Sequence, residues 1–162
     1  MPPAWPLAHA GSSSPTACRA SRRRPRIALW RGLRRLGAVQ VLDGLVALPL
    51  DSRNRERLEW LAEGVEEAGG EASIWLAEAA SSTEDRALAR RLSEAIAAEY
   101  RELIDAAHAA REESESRRRR TLGRLRRELG RIRRRDYFPP PEREEAQAAV
   151  DELSRELEET PA

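Results

Sequence analysis

A chain of 162 residues has room for one domain and a modest appendage, and 35% charged with only 4% aromatic side chains suits a small core with long solvated helices, not a large globular enzyme. The single cysteine, Cys18, excludes an internal disulfide and a cysteine-based zinc site, no apolar run reaches the roughly 18 residues of a membrane span, and the Pro-, Ser- and Arg-rich start has no apolar stretch of a secretory signal, which together point to the cytoplasm. Net charge is only +1, yet all 29 basic side chains are arginine. A GC-rich genome produces that bias, and so does selection for the planar fork that binds oxyanions in pairs of hydrogen bonds, so the placement of charge carries more information than its sum.

Residues 1–25 show no period and read as a disordered N-terminal segment. From Arg26 to Leu36 the spacing of Ile27, Trp30, Leu33 and Leu36 predicts a helix, stopped by Gly37, with Arg31, Arg34 and Arg35 on its other face. Ala38–Leu42 and Leu45–Pro49 flank Asp43-Gly44, a two-residue hairpin signal, because Gly tolerates positive φ and Asp tolerates the left-handed region. Asp51 or Ser52 is placed to cap a second helix with Leu58, Leu61, Ala62, Val65 and Ala68 inward, ended by Gly69-Gly70. Glu71–Ala77 reads as a strand.

Everything from Ser82 on reads as helix, with Ser82 or Thr83 at its start. Leu88, Leu92, Ile96, Tyr100, Leu103 and Ala107 form one stripe; Leu122, Leu125, Leu129 and Ile132 form an a/d seam after a break at Ser114–Ser116; Ala146, Val150, Leu153 and Leu157 form another after Pro139-Pro140-Pro141. These stripes suit helix packing within the chain or, as the second reading, a homodimer seam. The expected organisation is a disordered segment (1–25), a ferredoxin-like α/β module (26–80) and an Arg-rich helical region (81–160). The fold class expected is α/β (α+β): a βαββαβ unit with its first strand missing, followed by an antiparallel helical extension. Without that internal strand the last strand lacks a neighbour and a row of backbone groups lacks partners.

Several short motifs occur in a distinctive order. They are Arg26-Ile-Ala-Leu-Trp-Arg-Gly-Leu-Arg-Arg-Leu-Gly-Ala-Val39, Asp43-Gly44, Leu48-Pro49, Glu59-Trp60-Leu61, Glu67-Ala-Gly-Gly-Glu-Ala72, Glu99-Tyr100 and Arg131-Ile-Arg-Arg-Arg-Asp-Tyr-Phe138. In that order the chain, over about residues 26–157, resembles the N-terminal domain of the ChrB chromate-resistance regulators. The stretch from Trp30 also resembles, more distantly, the phenylacetate-type repressors. The resemblance implies a cytoplasmic, chromate-responsive transcriptional regulator that binds operator DNA of a chromate-efflux operon and releases it when chromate is present. It marks Trp30, Gly37, Asp43, Gly44 and Asp136 as structural motif positions.

No phosphate loop, nucleophile–base pair, His-x-x-x-His helix or metal-ligand cluster is legible, so neither enzyme activity nor a metal or cofactor is expected. The candidate site is basic: Arg117 to Arg120, Arg124, Arg126, Arg127, Arg131 and Arg133 to Arg135 load one helix with positive charge, and Arg31, Arg34 and Arg35 early with Arg124, Arg127, Arg131, Arg133 and Arg135 late are singled out for DNA phosphates or a tetrahedral oxyanion such as chromate. The competing reading is a solvated face neutralised by neighbouring carboxylates, among them Glu112, Glu113, Glu128, Glu142, Glu144, Glu145 and Asp151. Trp30, Trp60 and Trp75 read as core. The alternative function is a non-enzymatic helical interaction module, or a degenerate stand-alone N-terminal remnant.

Overall fold

The computed structural model describes the backbone of residues 5–11 and 23–159 and the side chains of residues 27–159. The described chain divides into two compact units, residues 1–89 and 90–162.

In the first unit, strand β1 (Trp5–Gly11) is followed by helix α1 (Arg23–Leu36), strands β2 (Val39–Leu42) and β3 (Leu45–Ala47), helix α2 (Ser52–Glu67) and strand β4 (Glu71–Ala77). The sheet is antiparallel throughout, in the order β2-β3-β1-β4. Leu7 to His9 pair with β3, and all of Trp5 to Gly11 pair with β4. Pro6, which has no N–H to give, therefore lies outside the stretch bonded on both sides.

Two glycines set the local geometry. Gly37 (φ 76°) ends α1, with its N–H donated to the Arg34 carbonyl and that of Ala38 to Leu33. Gly44 (φ 77°) completes the two-residue turn that puts Leu42 opposite Leu45. Asp51 is the N-cap of α2, its Oδ1 accepting from the Asn54 N–H at 2.6 Å. Asn54 is itself buried, and its side-chain amide donates to the Pro49 carbonyl at 3.0 Å.

The expected fold class needs correction. An α/β ferredoxin-like module lacking its first strand does not describe this chain, which is mainly helical, with five helices and only four short strands among the described residues. Nor is a strand missing: Trp5–Gly11, expected to be disordered, is hydrogen-bonded between β3 and β4. The rest of the expected disordered segment, residues 1–4 and 12–22, lies outside the described residues. Helix α1 begins at Arg23, three residues earlier than its apolar period suggests.

Helix α3 (Ser82–Ala110) crosses the unit boundary. Its cap is Ser81, whose Oγ accepts from the Glu84 N–H and donates to the Glu84 carboxylate, one residue before the expected start. Beyond residue 89 it forms the second unit with α4 (Glu115–Arg133) and α5 (Glu142–Glu159). Side-chain links give the directions. Arg101 meets Glu142, and Arg111, just past α3, meets Glu152, so α3 and α5 run alike. Arg135 meets Glu99, and Arg118 meets the Arg111 carbonyl at the other end, so α4 runs against α3. The core is Ile96, Tyr100, Leu103, Ala107, Leu122, Leu125, Leu129, Ile132, Ala146, Val150, Leu153 and Leu157. The three expected stripes meet inside one chain.

Several residues expected inward are not core: Ile27 and Ala68 are exposed, and Trp30 is half-buried. Trp60 is 63% and Trp75 62% exposed.

Candidate nucleic-acid interface

The face of α4 opposite its apolar seam is built almost entirely of arginine. Counting from Arg117, the steps of three and four residues that run Leu122, Leu125, Leu129, Ile132 on the buried side run Arg117, Arg120, Arg124, Arg127, Arg131, Arg134 on the other. All six are exposed. At 1.5 Å per residue the stripe is about 25 Å long. The helix holds nine arginines and two glutamates.

Such a face is costly by itself. Like charges three or four residues apart on a helix destabilise it by about 0.2–0.5 kcal/mol per pair, so five successive steps cost roughly 1–2.5 kcal/mol unless something neutralises them. Within the chain very little does. Arg131 is paired with Glu128 at 2.7 Å, on its own helix. Arg117, Arg120, Arg124, Arg127 and Arg134 have no ion-pair partner among the described residues.

Three of the eight carboxylates of α5 are ion-paired away from the stripe, Glu142 with Arg101, and Glu152 and Glu156 with Arg111. Between α4 and α5, Arg126 Nη2 donates to Ser154 Oγ at 2.6 Å. Glu113 accepts from Thr121 and Glu128 serves Arg131. Of the carboxylates that the sequence offered for neutralising this face, Glu128 reaches it, and the six arginines stay exposed to solvent.

The expected site residues separate into four groups. Arg124, Arg127 and Arg131 lie on the stripe, which extends to Arg117, Arg120 and Arg134. Arg133 lies to one side, lining with Arg126, Gly130, Gln147 and Asp151 a shallow groove of about 220 Å³ between α4 and α5. Arg135 is committed: its guanidinium grips the Glu99 carboxylate with both terminal nitrogens, one at 2.6 Å. Arg31, Arg34 and Arg35 are exposed on α1 and belong to the first unit, whereas the others belong to the second.

Asp136 anchors this surface from behind. Its side chain is wholly buried and accepts from the Tyr100 hydroxyl at 2.9 Å, with Arg143 at 3.6 Å. Burial, then the Asp136 carboxylate beside it, push the Tyr100 phenol well above the usual tyrosine range. The sequence pairs Glu99-Tyr100 and Arg135-Asp136 are therefore two halves of one contact. Glu99 takes Arg135 and Tyr100 takes Asp136, holding the end of α4 to α3.

Among the described residues no group of His, Cys, Asp or Glu is arranged to hold a metal ion, and no helix is long and apolar enough to cross a membrane. A family model described as "Protein ChrB, N-terminal" matches residues 26–161. No curated protein and no solved structure matches the chain.

Proposed function

Since the chain belongs to the ChrB N-terminal family, whose members are chromate-resistance-associated regulatory proteins, we propose that it is a non-enzymatic, chromate-responsive transcriptional regulator whose α4 contacts operator DNA. The observation that carries this reading is the unneutralised arginine stripe. Retaining a row of like charges at a cost in stability suits a polyanion partner that is absent from the chain itself. Arg117, Arg120, Arg124, Arg127, Arg131 and Arg134 contact phosphates, which gives register and affinity without reading sequence. Arg31, Arg34 and Arg35 on α1 give the first unit an exposed basic face of its own. Chromate, a tetrahedral dianion, competes for the same guanidinium forks.

The test is binding of purified protein to the DNA upstream of its own gene, with and without chromate, sulfate being the control. We expect log K to fall with log salt with a slope of roughly −5, from about six phosphate contacts. Chromate alone should release the DNA. Arg124→Gln/Arg127→Gln/Arg131→Gln should weaken binding at least tenfold and flatten the slope. Folded protein that leaves the fragment unbound at low salt would instead support the helical interaction module.

A further inference from the structure

The charge pattern of α4 has a counterpart on α5. On α4 and its C-cap, Arg117, Arg124 and Arg131 form one column and Arg120, Arg127 and Arg134 a second. On α5, Glu144, Asp151 and Glu158 form one column and Glu145, Glu152 and Glu159 a second. All twelve side chains are exposed. Every column steps by seven residues, two helical turns, so like charges recur every 10 Å or so over about 21 Å. The two cationic columns and the two anionic columns therefore share period and length.

Inside one molecule these faces do not meet. Leu122, Leu125, Leu129, Ala146, Val150 and Leu153 are buried in the shared core, and the charged columns are left outside. Arg131 and Glu152 have intrachain ion-pair partners, Glu128 and Arg111. The other five arginines have none among the described residues.

We propose that the occupant of the arginine columns, in the absence of DNA, is a second copy of this chain. The acidic columns of α5 in one molecule seat on the arginine columns of α4 in the other, and the same contact is made in return. A second copy fits because the complementary period is carried by the same chain, and because a net charge of +1 leaves little long-range repulsion between copies. The contact is ionic, since the apolar seams are already buried within each molecule. It occupies the arginines assigned above to phosphate, so self-association and DNA binding exclude each other. That exclusion rests on the DNA reading; the association does not.

The experiment is sedimentation of the full chain without DNA, at about 50 mM and about 500 mM salt, where the Debye length falls from over 10 Å to under 5 Å. We expect dimer mass at low salt and monomer mass at high salt. The reversals Arg124→Glu/Arg127→Glu and Asp151→Arg/Glu158→Arg, each checked by circular dichroism, should each be monomeric at low salt. An equimolar mixture of the two should regain dimer mass. Monomeric wild-type protein at low salt, dimers that persist in either reversed variant, or a mixture that stays monomeric would each overturn the proposal. If the association holds, DNA that leaves the dimer intact would remove the exclusion alone.

Discussion

The hydroxyl of Tyr100 is a proton held in place by its surroundings. It has no exposed surface, and the Asp136 carboxylate that accepts it is equally enclosed. Ionising the phenol would bury a charge away from water and set it beside the Asp136 carboxylate, which in that order is why its pKa is raised. The unfolded chain ionises this tyrosine near pH 10. The folded chain holds the proton higher, so above pH 10 the unfolded state binds fewer protons and stability falls as pH rises. Below pH 10 the contribution is fully present. We therefore expect urea stability to decline above pH 10 by up to about 1.4 kcal/mol per unit. Tyr100→Phe should lose most of that slope while leaving the rest of the pH profile in place. The sequence marked Asp136 as a structural position but could not show its partner, which lies 36 residues away on another helix.

Among the elements, α4 puts two opposite demands on one helix. Leu125, almost fully buried, should cost about 2–5 kcal/mol when cut to Ala, through lost transfer energy and an unfilled cavity. Arg124→Ala, one residue away on the other face, should change urea stability by no more than about 0.5 kcal/mol, or raise it by relieving repulsion. The helices were legible because their apolar residues recur at steps that only a helix places on one face. The Asp43-Gly44 turn was legible because its residue types are required by its backbone. Strand β1 was not. Trp-Pro-Leu-Ala-His-Ala-Gly contains no β-branched residue, includes a proline and ends in glycine, so nothing local announces a strand. Pairing with β3 and β4, both far along the chain, decides it. Trp60 and Trp75 were misplaced for a related reason: size and apolarity favour burial, but each lies on an outward position of its element.

For the whole molecule, near-neutrality conceals strong local fields. The isoelectric point is about 8.0, yet α4 holds nine arginines against two glutamates, and α5 eight carboxylates against two arginines. At pH 8 and low salt the protein should be retained on both cation and anion exchangers, because each resin sees one face. Elution from either with only a trace of salt would mean that the faces are neutralised in solution. The candidate site was legible as a list of arginines but not as a surface. Sequence cannot say which carboxylates reach which guanidiniums, and here Glu142 turns to Arg101 and Glu152 and Glu156 turn to Arg111.

The choice of arginine throughout the stripe has a chemical consequence. With no lysine in the chain, the basic face offers no amine to acetylate, and a guanidinium does not lose its proton at any pH a cell reaches. Acylating enzymes and cellular acidity alike leave its charge untouched. What silences such a face is a partner that covers it.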